Sequence, residues 1–385
     1  MTSTRCSSRR TKARSATVRR FVDSTFVDAA RRRREPSNSG CDYADGLAAT
    51  TVGWAAQGRS GRWMPRHGQF VPCGSFESPP RPLTGERRVR DAPLPNESNG
   101  DTRVRIEGIT KIGEASVHWR RDGSGPPVVF LHGFPLSGHT WDSVVVHLRD
   151  RFACYTPDLI GMGQSYSDAG DDYSSQGQAR PLQAMLRELG VDSYALVGND
   201  TGGWVARELA LIDQPRVSRL ILTNTEIPFH RPPWIPMYQT FAHVPGFGSV
   251  IRQLMKSSAF RRSSLAFGGC FHDLTHLEGD FQTQFVDPLI ASDARMEGAL
   301  QFLRRMKFAR LDEFKGLHQQ LTIPTLFIWG ADDPTFPEPT AREMVSQFPD
   351  VRGFHSLRNA KLFVYEEHPQ EVAQLIDRFL SDGQQ

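Results

Sequence analysis

From Val104 onward the chain alternates short runs of consecutive apolar residues with stretches whose apolar positions recur every three or four residues. Continuous apolar runs of four to six residues suit strands covered on both faces, and the 3–4 spacing suits amphipathic helices. Val104–Ile109 and Ala115–Trp119 alternate apolar and polar positions and predict an opening hairpin. Pro127–Leu131, Phe152–Tyr155, Ser193–Val197, Leu220–Thr223 and Thr325–Trp329 predict buried strands, with Gly353–Leu357 as a further one. The helical spacing falls on Trp141–Arg149, Ala179–Leu189, Gly203–Ile212, Ala341–Gln347 and Pro369–Leu380. Strands alternating with helices predict an α/β class: a mostly parallel sheet of six or so strands flanked by helices. Residues 227–312 break the alternation. They lack strand patterning and are rich in Phe, Leu, Met and Arg, which predicts a helical lid inserted between a core of residues 101–226 and its continuation, 313–385.

Residues 1–100 differ in kind. They carry 18 Lys and Arg against 9 Asp and Glu, although the whole chain of 385 residues is nearly balanced at +3. Met1–Gly40 is rich in Arg and Ser and contains four successive arginines, Arg31 to Arg34, while residues 79–100 are rich in Pro, Gly, Ser and Asn. A basic arm for nucleic acid would set aromatics or a folded motif among its charges, and neither accompanies the arginine run. It reads as a disordered tail followed by a linker, with an organelle-targeting peptide as the other reading. No run of 18 apolar residues predicts a membrane span. The five cysteines show neither metal-like spacing nor a disulfide framework, which suits a reducing, cytoplasmic setting. No Gly-rich phosphate loop and no metal-ligand cluster is present, so no cofactor and no metal is expected.

The most informative segment is Ala195–Gly203, where an apolar run ends in Gly198-Asn199-Asp200-Thr201-Gly202 and a helical stretch follows. A strand-to-helix turn flanked by glycines is a nucleophile elbow, tight enough to lift its central side chain into a cleft. Here that side chain is Asp200. With a reference pKa of about 3.9, a carboxylate attacks without a base to deprotonate it, and the first covalent intermediate is then an ester.

Three further motifs follow predicted strands in order: His132-Gly-Phe-Pro135, Asp158-Leu-Ile-Gly-Met-Gly-Gln-Ser165 and Trp329-Gly-Ala-Asp-Asp-Pro334. With the Asp200 elbow they resemble the α/β-hydrolase superfamily, in particular its haloalkane dehalogenase and epoxide hydrolase branch, over roughly residues 102–382. The resemblance implies an oxyanion site made by the backbone N–H groups of Phe134 and Thr201. It implies an acid at Asp333, or at Glu226 after the preceding strand, and leaves His132 a structural turn residue. In such proteins the acid orients a histidine in an Asn-Ala-Gly-His-Phe loop. This chain reads Asn359-Ala-Lys-Leu-Phe363, so the base position holds Leu362. His368, His355 and Lys361 are the candidates to replace it, against a leading expectation that the base is absent and turnover stalls at the ester.

The ligand is expected to be a small apolar molecule. Dehalogenases of this branch hold halide with a Trp directly after the nucleophile; Thr201 stands there, leaving Trp234 of the lid as a halide-binding candidate. Epoxide hydrolases bring two lid tyrosines to the epoxide oxygen, and residues 227–312 contain only Tyr238. Two functions remain open on sequence: a hydrolase acting on a haloalkane or epoxide, and an inactive relative that keeps the pocket to bind a ligand or partner. The oligomeric state is not legible.

Overall fold

A computed structural model describes residues 105–167 and 172–382, and the expectations for residues 1–100 fall outside that range. Strands β1 (Arg105–Ile112) and β2 (Ala115–Asp122) form an antiparallel hairpin closed at Ile112 and Ala115. Then come β3 (Pro127–Leu131), β4 (Ala153–Tyr155), helix α1 (Ser175–Glu188), β5 (Tyr194–Asn199), α2 (Thr201–Ile212) and β6 (Val217–Thr223). The eight strands make one sheet in the order β1-β2-β4-β3-β5-β6-β7-β8, with β7 at Thr325–Gly330 and β8 at Val351–Leu357. Pairing is antiparallel for β1/β2 and β2/β4 and parallel from β4 to β8. Strands β5 and β7 are buried at every position, which is why they read as unbroken apolar runs.

One helix differs from its expected form. Trp141–Arg149 is not continuous: a 3₁₀ turn over Gly138–Trp141 leads into a single α-turn, Asp142–Val145. Trp141, Val144, Val145 and Leu148 are all buried there. Apolar spacing thus reported burial correctly while the backbone formed successive turns.

Between β6 and β7 the described chain contains no strand. Its longer helices are α3 (Trp234–Ala242), α4 (Phe247–Met255), α5 (Asp293–Arg305) and α6 (Phe308–Leu317). Aromatic contacts fasten this segment over the end of the sheet. Phe302 stacks on Phe134 at 5.7 Å between ring centroids, and Phe271 meets Phe281 at 5.2 Å and Phe363 at 5.2 Å. Phe134 and Phe363 neighbour the elbow and the Leu362 loop, so these rings position the site. After β7 come α7 (Glu338–Val345) and α8 (Pro369–Ser381), the latter burying Val372, Ile376 and Phe379 along one face. No helix among the described residues is long and apolar enough to cross a membrane.

Candidate active site

Asp200 joins β5 to α2 with φ 49° and ψ −131°, a conformation an L-residue rarely adopts. Holding such a residue costs on the order of 1–3 kcal/mol and requires surroundings that over-determine it. They do. Its N–H donates to Asn224 O at 2.8 Å, and its carbonyl accepts from Gly203 N at 2.8 Å and Thr225 Oγ1 at 2.9 Å. Gly202 lets the turn press against β3, since a Cβ there would lie 2.3 Å from the Leu131 carbonyl oxygen.

The carboxylate faces two backbone donors. Phe134 N–H donates to Oδ2 at 2.9 Å, and the Thr201 N–H is the second donor. The structure therefore brings the amides of both Phe134 and Thr201 to the Asp200 carboxyl, where they would hold negative charge on oxygen. Gly133 admits this approach: a Cβ there would sit 2.8 Å from Asp200 Cβ and 3.0 Å from Oδ2. Gly133→Ala is accordingly expected to displace Phe134 N–H and slow reaction at Asp200 about 100-fold or more, measured as the initial rate of covalent adduct formation.

Asp200 opens onto a cleft of about 200 Å³ whose walls are mostly apolar, with Phe134, Trp234, Tyr238, Phe247, Leu300 and Leu362 among them. Glu226 and Cys270 also face it. Burial, and after it the charge of Glu226, pushes the Asp200 carboxyl well above the usual carboxylate range. This corrects the expectation of an ordinary aspartate. Burial likewise raises Glu226, and pushes Asp333 up to about 6.

Residues 126–369 match the alpha/beta hydrolase fold family. The chain belongs to that family. It is 28% identical over 270 residues to haloalkane dehalogenase 2 of Mycobacterium tuberculosis, covering 68% of this chain and 91% of that protein. It is 26% identical over 300 residues to a cis-3-alkyl-4-alkyloxetan-2-one decarboxylase of Shewanella oneidensis, covering 69% and 85%. The structure of epoxide hydrolase CorEH superposes with a TM-score of 0.62 at 22% identity, over 72% of this chain and 99% of that one.

Among the described residues lining the cleft of this alpha/beta hydrolase fold there are acids but no imidazole. Leu362, 5% exposed, puts its side chain in the cleft wall, and its carbonyl accepts from Asn199 Nδ2 at 2.9 Å. Asp333 accepts from Asn224 Nδ2 and from Thr335 N–H, each at 2.8 Å. The loop carrying Leu362 is pinned beside it, because Asp332 N–H donates to Ala360 O at 2.9 Å. The candidate replacement bases are elsewhere. His368 Nε2 lies 3.1 Å from Arg358 O and His368 does not line the cleft, so it is not brought to Asp200. His355 is on β8 and lines a separate groove with Arg219 and Arg378. Lys361 also stays out of the cleft wall. His132 is a turn residue: Nδ1 donates to Gly133 O and Nε2 accepts from Leu159 N–H, both at 2.9 Å.

Trp234 and Tyr238 both reach the cleft, but the Tyr238 hydroxyl donates to the Leu265 carbonyl, which commits its proton to the lid backbone. Sequence reasoning missed Cys270, and it missed the buried polar set of Asn199, Asn224, Thr225 and Arg207 behind the elbow. Asn224-Thr225-Glu226 directly follows the apolar run of β6, and that position was the available signal.

Proposed function

We propose that this chain is a cofactor-independent hydrolase that forms an ester between Asp200 and a small apolar haloalkane or epoxide. The observation that carries the reading is the Asp200 carboxylate, held at a strained elbow against two amide donors and opening onto an apolar cleft. Attack by a carboxylate oxygen on carbon forms a C–O bond. It breaks either a carbon–halogen bond, releasing halide, or an epoxide C–O bond, leaving an alkoxide on the bound ligand. Water attack on Cγ of Asp200 would then release the alcohol. The names of the relatives, a haloalkane dehalogenase among them, support this chemistry.

Leu362 favours a second reading, in which the same cleft captures its ligand without turning it over. A missing general base costs about 100- to 10,000-fold in the step it serves. Both readings predict an Asp200 adduct, and they differ in its lifetime. Incubation of the full chain with 1-bromohexane or 1,2-epoxyhexane, followed by intact-protein mass and peptide fragmentation, is expected to place one adduct on Asp200. An adduct located elsewhere, or neither adduct nor alcohol product, overturns the covalent reading.

A further inference from the structure

A second cavity of about 200 Å³ lies between the lid and the turn after β3. Its walls share Pro135, Leu289 and Ala299 with the Asp200 cleft, so the two spaces abut at those residues. They differ in chemistry. The Asp200 cleft is mostly apolar, whereas the second cavity adds Arg295, Gln164, Gln284 and Asp158 to its wall. Helix α5 accounts for the contrast. Met296, Leu300 and Leu303, three and four residues apart, line the cleft, while Arg295 stands one turn before Ala299 on the adjoining face and lines the second cavity.

Arg295 is a half-buried cation without a partner. Its backbone N–H donates to Ser292 Oγ at 3.2 Å, but among the described residues its guanidinium makes no hydrogen bond, ion pair or ring contact. Its neighbours three and four residues away, Ala291, Ser292, Gly298 and Ala299, carry no charge. Both acids of α5 are engaged elsewhere, Asp293 with Arg252 and Glu297 with Arg304, each at 2.5 Å. Asp158 in the cavity wall is engaged too. It accepts from Gly138 N–H at 2.7 Å and Gln164 N–H at 2.8 Å, and lies 3.0 Å from His118 Nδ1. A guanidinium fork binds a carboxylate through two parallel N–H groups, and a half-buried one gains more from that partner than one in open water.

Resting on the reading of Asp200 as nucleophile, we propose that the ligand is amphipathic: an apolar chain with its electrophilic carbon at Asp200 and a terminal carboxylate at the Arg295 guanidinium, past Ala299. Phe302 of α5 stacks on Phe134, whose N–H holds the Asp200 carboxyl, so Phe302 marks the level of the reacting carbon on that helix. Arg295 precedes it by two turns, roughly 10 Å along the axis. An extended chain advances about 1.2 Å per bond, so roughly eight or nine bonds cover that distance. A chain of about ten carbons therefore sets its carboxylate at Arg295 and its far carbon at Asp200, with Met296, Leu300 and Leu303 against the methylenes between them. Arg295 makes and breaks no bond in this scheme. It selects the charged ligand over the neutral one and fixes how far the chain enters.

The test follows adduct mass at limiting concentrations of 10-bromodecanoate, its methyl ester and 1-bromohexane, in wild type and in Arg295→Gln. A hydrogen-bonded charge pair is worth about tenfold or more, so wild type is expected to react at least about tenfold faster with the acid than with the ester. Arg295→Gln is expected to abolish that preference and to leave the rate with 1-bromohexane within about threefold, since glutamine keeps the helix and removes only the charge. Equal rates for acid and ester in wild type, a preference that survives the substitution, or equal slowing with 1-bromohexane overturns the proposal. Wild type alone gives an independent reading should the variant not fold: 6-bromohexanoate is too short to reach both groups and is expected to react no faster than its methyl ester. A preference as large as that for 10-bromodecanoate overturns the proposal. Calorimetric binding of decanoate, which cannot alkylate Asp200, separates this proposal from the nucleophile reading. If no bromide reacts, yet decanoate binds wild type about tenfold tighter than Arg295→Gln, the carboxylate site stands and the nucleophile reading falls; without that difference both fall. Adducts from 1-bromohexane without any preference for the acid overturn the carboxylate site alone.

Discussion

In the Asp200→Gly variant, adduct formation is expected to fall by about 10,000-fold or more, as when a nucleophile is removed, while the melting temperature rises. The two effects have one origin. Asp200 is held at φ 49° and ψ −131°, which glycine adopts without strain, and relief of on the order of 1–3 kcal/mol exceeds the roughly 0.5–1 kcal/mol that glycine's unfolded-state freedom costs. For a domain of this size each kcal/mol corresponds to roughly 2–4 °C. The variant also removes a carboxyl that burial and Glu226 hold above its unfolded pKa. Such a group favours the folded state most below its unfolded pKa, and that contribution is lost as pH rises through the folded value. The gain from Asp200→Gly should therefore be larger at about pH 8 than at about pH 5. Thermal melts at both values check it, and an unchanged or lower melting temperature at the higher pH would show that the elbow stores no such cost.

Leu362→His is expected to shorten the lifetime of the ester left by 1-bromohexane by about 100- to 10,000-fold. The side chain at this position lies in the cleft wall with Asp200, and its loop is bonded to the segment bearing Asp333. An imidazole there has an acid within the same assembly and an ester in front of it. Asp333 is pushed up to about 6 by burial, and a neighbouring imidazolium would favour its ionised form. Decay of the adduct mass after excess bromide is removed measures the effect, and Leu362→His combined with Asp333→Asn should lose most of the gain. A lifetime unchanged in the single variant would mean that position 362 does not face the ester. Placing an imidazole in an apolar wall is also expected to cost stability, about 1–3 kcal/mol if it finds no partner.

The elements most legible in the sequence were those whose burial is complete along their length. Pro127–Leu131 was bounded as the structure has it, and Thr325–Trp329 falls one residue short, because a strand covered on both faces must be apolar at each step. Asp200 was legible for a steric reason: only residues without a Cβ fit beside the turn, so glycines mark it. The place of Leu362 beside the cleft was legible too, because loop Asn359–Phe363 shares its neighbours with the motif it resembles and differs at that residue. The break of Trp141–Arg149 into turns was not, since burial spacing is the same for a helix and for successive turns that bury the same residues.

The sequence by itself determined the alternation of strands and helices, the elbow with its carboxylate, and the leucine at position 362, since each is written in residues a few positions apart. Only the tertiary structure decided which polar groups share the cleft. It set Glu226 beside Asp200 through Thr225, spent the Tyr238 hydroxyl on Leu265, and left His368 against Arg358, outside the cleft wall. Those outcomes depend on strand order and on the docking of the lid, which join residues tens of positions apart. Local periodicity records that a side chain is buried, and the packing of distant segments determines what it is buried against.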